Sequence, residues 1–358
     1  MKNEFLDHVE FYVGDAQQAA FILCTTMGFR LCGQGGPETG LAGQRSLLLR
    51  QGRIQLVLTS GLVPDHPATR YVARHGDGVA RIAIGVPDVP GAFGELVDGG
   101  VAAVAEPVTY RAGEATATVA EVGGFGDMTH LLVARTHTAR EFLPGAFTIL
   151  DPGPEPDQEP LTAVDHVAVC LPAGCLAGAV EQYRVGFGFD EIFEEYVEVG
   201  SEAVASKVVQ SPSGAVTLTL FEPDVSRQPG QIDGFLAAHG GPGVQHLALL
   251  THDIVGTVRT LAGRGVRFLD TPDAYYDQLA ERLDPADLDI PLLRSANVLV
   301  DRDNWGELFQ IFTRSLHVRQ TYFTEIIDRR GARTFGSRNI RALYEAVQRT
   351  RTPAGTSA

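Results

Sequence analysis

Cysteine is scarce in this chain, with four among 358 residues. Cys24, Cys32, Cys170 and Cys175 form no CxxC pair and no dense framework, which excludes a small disulfide-stapled secreted domain and predicts reduced thiols. The chain also lacks an uninterrupted apolar run of the roughly 20 residues that span a bilayer. Its first residues lack the apolar core of a secretory signal. We therefore expect a cytoplasmic protein.

Basic residues are also few. The chain carries 29 Lys and Arg against 44 Asp and Glu, so its formal net charge is −15. Such an acidic chain is a poor candidate for binding nucleic acid or an anionic membrane. With 44% hydrophobic residues it can bury large cores, and its length indicates two or more domains. These properties are compatible with a soluble enzyme, and they leave open whether it forms a homodimer.

The most informative feature that is present is a repeat. Leu6-Asp7-His8 in the first half reappears as Val164-Asp165-His166 in the second. A second phrase, at 75–83, reappears at 239–248, and there Arg81 stands where the second half has His246. His8, which lacks a histidine partner, is interpreted as structural or vestigial. The repeat predicts a duplicated fold with one metal site, in the C-terminal half.

Alternating strand patterns and short helical stretches predict two βαβββ modules in each half. Such modules form a curved sheet with helices outside, and two of them can close a cup lined by one face of each strand. If His166 and His246 face the cup, this alternation places Ala168 and Ala248 on the same face. We expect an α+β fold of tandem βαβββ modules in two open barrel-like domains, 1–150 without a metal site and 151–358 with one. The proline-rich segment 143–160 marks the boundary. Residues 338–349 are predicted to form an amphipathic closing helix.

The end of the repeat is less regular. The segment 126–132 matches 306–312, which predicts equivalent final hairpins in the two halves. The second half then continues with an apolar strand at 322–327. We expect no counterpart of this strand in the first half, because Leu143-Pro144-Gly145 interrupts the pattern there.

Three residues of the second half, His166, His246 and Glu325, are of the types that form a metal centre. Two histidines and one carboxylate on separate strands, with the other positions open, are typical of non-haem Fe(II) sites that react with O2. Glu325 lies in the apolar strand, where a carboxylate is costly unless it is paired or bound to metal. The alternatives are that the histidines are satisfied strand residues, and that Glu325 faces solvent or pairs with Arg329 or Arg330.

The second half resembles the 4-hydroxyphenylpyruvate dioxygenase family of the vicinal oxygen chelate superfamily, and the resemblance extends over nearly the whole chain. It is carried by Val164-Asp165-His166 and by the segments 243–248, 309–313, 323–327 and 335–340. The resemblance implies that His166, His246 and Glu325 bind Fe(II), with O2 as co-substrate. It also implies a substrate pocket with polar and aromatic positions at Ser206, Gln231, Gln245, Gln310, Phe312, Phe323, Phe335 and Asn339.

The resemblance implies 4-hydroxyphenylpyruvate as substrate, with two possible outcomes. Attack on the ring gives homogentisate, whereas benzylic hydroxylation gives 4-hydroxymandelate. This chain has Thr219, Phe221 and Ile340 where the ring-attacking enzymes usually have Pro, Asn and Phe. We therefore expect 4-hydroxymandelate, which the resemblance links to 4-hydroxyphenylglycine in peptide antibiotic biosynthesis. A homogentisate-forming dioxygenase of tyrosine catabolism is the main alternative, and a non-catalytic small-molecule-binding protein of the same fold is a remote one.

Overall fold

The computed structural model describes residues 4–136, 141–151, 153, 159–282, 288–336, 339 and 341. Within these ranges the chain forms two mixed sheets with helices packed against them. No helix of this part of the chain is long and apolar enough to cross a membrane. The predicted closing helix lies outside the described residues except at 339 and 341, and Ile340 is not among them.

The first half is built around a central strand with a parallel neighbour on one side and an antiparallel neighbour on the other. Its elements are β1 (Phe5–Tyr12), α1 (Ala16–Ile22), β2 (Arg30–Gly35), β3 (Gln44–Gln51), β4 (Ile54–Gly61), α2 (Pro67–His75), β5 (Gly78–Gly85), α3 (Val89–Asp98), β6 (Ala103–Ala112), β7 (Ala115–Gly123), β8 (Thr129–Arg135) and β9 (Thr148–Ile149). The strand order is β6-β7-β8-β5-β1-β4-β3-β2-β9. The central strand β1 is parallel to β4 and antiparallel to β5.

The second half repeats this plan. Its elements are β10 (Ala163–Cys170), α4 (Leu176–Glu181), β11 (Asp190–Val199), β12 (Glu202–Gln210), β13 (Thr217–Pro223), α5 (Gln231–His239), β14 (Gly243–Leu250), α6 (Ile254–Gly263), α7 (Asp273–Arg282), α8 (Ile290–Ser295), β15 (Leu299–Arg302), β16 (Glu307–Phe312) and β17 (Phe323–Arg330). The strand order is β11-β12-β13-β10-β14-β17-β16-β15. Here β10 is parallel to β13 and antiparallel to β14. The tandem βαβββ architecture predicted from the sequence is confirmed.

The chain passes from the first sheet to the second across the proline-rich segment. Strand β9 still belongs to the first sheet, because Ile149 pairs with Gly33 of β2. Strand β10, which begins at Ala163, belongs to the second sheet. The change of sheet thus falls between these two strands, and the domain boundary at 150 stays a prediction.

Both central strands carry a bulge at the same place. The pairing of β1 with β5 shifts just before His8, and the pairing of β10 with β14 shifts just before His166. A bulge interrupts the strict alternation of side chains across a sheet. Asp7 and Asp165 can therefore lie beside the histidine that follows each of them. The repeated Asp-His phrase is a repeated local geometry.

The sheet faces that point away from the histidines build the core. On β14, Leu247 and Leu249 alternate with His246 and are buried. They belong to the same buried cluster as Leu56 and Leu58 on β4 of the first half. The two halves therefore share one apolar core, which supports the strands that carry the candidate site.

The structure corrects the predicted end of the repeat. Strand β8 is parallel to β5 as β17 is parallel to β14, so β8 is the counterpart of the strand that carries Glu325. Leu131 pairs with Ala83 where Glu325 pairs with Ala248. The predicted match of 126–132 with 306–312 is wrong, and so is the predicted absence of the strand. Neighbouring strands share the same period of two, so a sequence comparison cannot tell which of them it has aligned.

Candidate metal centre

The three predicted ligands meet on one side of the second sheet. His166, His246 and Glu325 offer ligand atoms that all lie within 4.8 Å of one another. Nε2 of His166 lies 3.4 Å, and Nε2 of His246 lies 3.5 Å, from the same oxygen, Oε2 of Glu325. The three residues are 5%, 6% and 3% exposed. Two imidazole nitrogens and one carboxylate oxygen, all buried and this close, form a donor set for a divalent cation.

Strand register explains why these side chains converge. Strands β10, β14 and β17 are neighbours, and each carries one of the three residues. Ala248 pairs with His166 on one side and with Glu325 on the other, and Ala168 pairs with His246. Both alanines are fully buried. Small residues therefore separate the ligands, as the alternation of the strands predicted, and leave room above the sheet.

The arginines that could have paired with Glu325 are engaged elsewhere. Arg329 donates from Nε and Nη2 to the two oxygens of Asp165, at 2.6 and 2.8 Å. Arg330 pairs with Asp328 at 3.0 Å. Glu325 instead faces the two histidines, so the alternatives of a solvent-facing charge and of an arginine pair are wrong.

Burial and neighbouring groups act in opposite directions on the ionisation of the site. Burial by itself would raise the pKa of Glu325, but hydrogen bonds and the charges of His166 and His246 lower it to about 2. Burial would lower the pKa of His166, but Asp165 and Glu325 raise it to about 9. The pKa of His246 is lowered, because burial outweighs the effect of Glu325. The centre thus holds an ionised carboxylate in an apolar setting, which favours the binding of positive charge.

The three candidate ligands lie at the wall of one pocket. Of the pocket residues predicted from the sequence, the structure places Ser206, Thr219, Phe221, Gln231, Gln245, Gln310, Phe312 and Phe335 in that wall. Gln245 also contacts the metal centre, because its Oε1 lies 3.2 Å from Nδ1 of His246. Sequence reasoning missed Val197, Val204 and Ile232, which line the same pocket. Val204 lies two residues before Ser206 on β12, so the two side chains share one face of the strand, and this spacing could have identified Val204.

Two predicted pocket residues lie outside this wall. The ring of Phe323 stacks on His246, with centroids 4.8 Å apart, and lines a second cavity between the two halves. Asn339 is fully buried, and its Oδ1 accepts a hydrogen bond from the hydroxyl of Tyr275 at 2.8 Å. Their expected contact with substrate stays a prediction. The prediction for Ile340 falls on a residue that the structure does not describe.

Two buried polar atoms in the pocket wall have no hydrogen-bond partner among the described residues. They are Oγ1 of Thr219 and Oε1 of Gln310. An unsatisfied buried polar group costs about 1–3 kcal/mol, and native proteins contain few of them. Their presence in one pocket beside the His–His–Glu cluster indicates a site built for a polar ligand.

The equivalent place in the first half holds a guanidinium group. Arg81 pairs with Glu10 across β1 and β5 as His246 pairs with Ala168 across β10 and β14. Arg81 donates twice to Glu121, at 2.9 Å each, and once to Glu10 at 3.2 Å. Within the described residues, the cluster in the second half is the one group of ligand side chains at metal-binding distance. An arginine thus supplies in the first half the positive charge that a cation would supply in the second.

Known proteins share this architecture along the whole chain. Residues 7–120 and 163–309 both match the Glyoxalase/Bleomycin resistance protein/Dioxygenase superfamily. The 4-hydroxyphenylpyruvate dioxygenase of Yarrowia lipolytica is 32% identical over 369 residues, covering 98% of this chain and 92% of that protein. The enzyme of the same name from Aspergillus fumigatus is 33% identical, with coverage of 96% and 91%. The chain belongs to the 4-hydroxyphenylpyruvate dioxygenase family.

Solved structures agree with membership of the 4-hydroxyphenylpyruvate dioxygenase family. A triple mutant of 4-hydroxymandelate synthase from Streptomyces coelicolor superposes with a TM-score of 0.89 and 46% identity, covering 98% of this chain and 100% of that chain. A xylose isomerase-like TIM barrel/4-hydroxyphenylpyruvate dioxygenase fusion protein superposes with a TM-score of 0.73 and 26% identity, covering 96% of this chain and 52% of that chain. The resemblance and the enzyme class expected from the sequence, an oxidoreductase of the dioxygenase type, are confirmed.

Proposed function

We propose that this chain converts 4-hydroxyphenylpyruvate and O2 into 4-hydroxymandelate and CO2 in an Fe(II)-dependent reaction. The observation that carries the proposal is the 46% identity with 4-hydroxymandelate synthase over 98% of the chain. The two dioxygenases named above are 32% and 33% identical. The departures from the ring-attacking pattern at Thr219 and Phe221 support the same choice, because both residues line the pocket beside the candidate metal centre.

The donor set fits iron. Nitrogen from His166 and His246 with one carboxylate from Glu325 suits Fe(II) better than Mg²⁺ or Ca²⁺, which prefer oxygen ligands alone. When bound there, Fe(II) supplies a chelation point for the 2-keto acid and activates O2. The substrate carries its own keto acid, so no second one is required. Loss of its carboxylate as CO2 provides two electrons and hydroxylation of the benzylic C–H provides two, which together balance the reduction of O2.

The pocket wall provides the groups that hold the substrate. Gln310 presents an acceptor oxygen without a partner, which suits the phenol O–H, and the Thr219 hydroxyl suits an oxygen of the substrate. Phe312 and Phe335 flank the histidines, with ring centroids 6.1 Å from His246 and 5.2 Å from His166. Flat apolar walls on both sides restrict an aromatic substrate to few orientations and exclude water from the reacting carbon.

The choice between ring and benzylic carbon requires little energy. A difference of about 1.4 kcal/mol between two barriers changes the product ratio tenfold. We therefore expect a change of pocket shape at Phe221 and Ile340 to turn the substrate's ring away from the candidate metal centre and to present its benzylic C–H there. The three ligands need not differ between the two kinds of enzyme.

Product identification tests the proposal. The purified chain is loaded anaerobically with Fe(II), mixed with 4-hydroxyphenylpyruvate and air, and the products are separated against standards. We expect 4-hydroxymandelate, with one CO2 released per O2 consumed. Homogentisate as the main product would instead establish the ring-attacking alternative, and a chain that neither binds Fe(II) nor consumes O2 would support the binding-protein alternative. We expect Phe221→Asn with Ile340→Phe to shift the ratio toward homogentisate, and an unchanged ratio would contradict the role of pocket shape.

A further inference from the structure

His166 is held by three side chains, and together the four residues form a closed cycle of contacts. Its Nδ1 lies 2.8 Å from Oδ1 of Asp165. Arg329 donates a hydrogen bond to each oxygen of that carboxylate, at 2.6 and 2.8 Å. The guanidinium of Arg329 lies over the ring of Phe335, 4.9 Å from its centroid, and Phe335 meets His166 edge-on at 5.2 Å. We call these four residues the Asp165 cassette.

The cassette is anchored to the backbone as well. Nη1 of Arg329 donates to the carbonyl oxygen of Thr334 at 2.7 Å. The side chain of Asp165 is 8% exposed and that of Arg329 is 17% exposed, so water competes little for these bonds. When a metal replaces the proton on Nε2, the atom that faces Glu325, the carboxylate of Asp165 would keep the other proton on Nδ1. The cassette thus sets both the tautomer and the ring plane of His166.

The other candidate histidine has a weaker support. Nδ1 of His246 faces the neutral amide oxygen of Gln245 at 3.2 Å, and its ring stacks on Phe323. A charged hydrogen bond is roughly twice as strong as a neutral one. The two histidines are therefore supported unequally, and the stronger support lies on His166.

The first half contains the same cassette, and its described residues include no cluster of metal-binding side chains. Nδ1 of His8 lies 2.6 Å from Asp7, and Arg135 pairs with the other oxygen of Asp7. Arg135 lies over Phe142, 4.9 Å from its centroid, and Phe142 meets His8 edge-on at 4.8 Å. The positions of the second histidine and the carboxylate are taken here by Arg81 and Leu131. This copy shows what the cassette contributes to the fold alone.

We infer that Asp165 and Arg329 are positioning residues that hold His166 ready for the metal, whereas Asp7 and Arg135 hold His8 for the fold alone. The inference rests on the proposed ligand role of His166. Carboxylate partners of metal-bound histidines fix the ring and raise its basicity, and their loss costs about 10–100-fold in metal affinity. The same substitution in the two cassettes should therefore have different effects on metal binding and similar effects on stability.

The test compares Asp165→Asn with Asp7→Asn in the full-length chain. Fe(II) affinity is measured anaerobically by competition with a chelator, and the thermal midpoint of the metal-free protein is measured alongside. We expect Asp165→Asn to weaken Fe(II) binding roughly 10–100-fold and Asp165→Glu to restore part of it. Asp7→Asn should change Fe(II) affinity by no more than about twofold. It should lower the thermal midpoint about as much as Asp165→Asn does.

Two results would overturn the inference: unchanged affinity in Asp165→Asn, or an equal loss of affinity in both asparagine variants. If the asparagine variants do not fold, Arg329→Lys and Arg135→Lys provide the same comparison, because lysine keeps the charge but cannot grip both oxygens. His166→Ala separates this inference from the proposed function. If His166→Ala keeps the affinity of the unmodified chain, the ligand assignment itself is wrong. If it loses affinity while Asp165→Asn does not, only the positioning role is wrong.

Discussion

Replacing Arg81 by methionine tests whether the first half is a scaffold that takes no part in catalysis. Arg81 makes two hydrogen bonds to Glu121 and one to Glu10, and its guanidinium lies 5.2 Å from the ring centroid of Tyr12. The side chains of Glu10 and Glu121 are 7% and 11% exposed. Methionine replaces the apolar stem of Arg81 but leaves these two carboxylates buried and without their cation.

The expected cost follows from this arrangement. Removing one partner of a buried ion pair destabilises a protein by about 3–5 kcal/mol, because a charge remains buried without compensation. The side chain of Arg81 is itself 23% exposed, so solvent weakens the pairs. We therefore expect the free energy of unfolding to fall by roughly 3 kcal/mol, at the lower end of that range. Turnover and Fe(II) affinity should stay within twofold, because Arg81 belongs to the other sheet.

Urea unfolding at pH 7, with product formation measured on the folded protein, provides the assay. The control combines Arg81→Met with Glu10→Gln and Glu121→Gln. Amides still accept from Thr59 and Thr129, which bond the two glutamates at 2.6 and 2.5 Å, and removal of a whole buried ion group is often neutral. The triple variant should therefore recover most of the loss. If Arg81→Met lowers the free energy of unfolding by less than about 0.5 kcal/mol, the energetic reasoning is refuted. If a folded Arg81→Met variant loses turnover, the first half is not merely a scaffold.

Three further predictions concern the second half. Glu325→Gln removes the anionic ligand, and we expect at least a tenfold loss of Fe(II) affinity by chelator competition; retained affinity would contradict the proposed centre. Burial lowers the pKa of His239 to about 4, so its contribution to stability is present above pH 6.5 and is lost as pH falls toward 4. In urea unfolding, His239→Phe should reduce the difference in the free energy of unfolding between pH 7 and pH 4 by roughly 2 kcal/mol. An unchanged difference would contradict this. Gly336 has φ +67°, and a Cβ there would lie 2.6 Å from Oε1 of Gln310, so Gly336→Ala should raise KM for 4-hydroxyphenylpyruvate. Gly214→Ala, at φ +74° with its nearest neighbour 3.9 Å away, should cost similar stability and leave KM unchanged.

The candidate ligands could be predicted because their chemistry shows in residue types. His166 and His246 stand at equivalent points of a repeat whose first copy has His8 and Arg81. Glu325 is conspicuous because a carboxylate in an apolar strand needs a partner. Strand alternation also predicted which neighbours share the face of the ligands, and the buried Ala168 and Ala248 agree with it. These inferences need only the period of two and the cost of burying charge.

The contacts around the ligands could not be predicted in this way. The sequence offered Arg329 as a partner for Glu325, whereas the structure pairs it with Asp165. It did not indicate that the ring of Phe323 stacks on His246. Both residues lie on β17, and their partners lie on other strands. Such pairings depend on strand order and on bulges, neither of which the pattern of one strand records.

The repeat shows most directly what each level of structure contributes. The sequence alone predicted a duplicated α+β fold and a His–His–Glu set in its second half, because residue type and spacing carry that information. Only the folded chain showed that Leu131 replaces Glu325 in the first copy, and that Arg81 is bound there by two glutamates. It also showed that an Asp–His–Arg–Phe cassette is present in both copies. These features arise from side chains up to 164 residues apart, which the pairing of strands brings within hydrogen-bond distance.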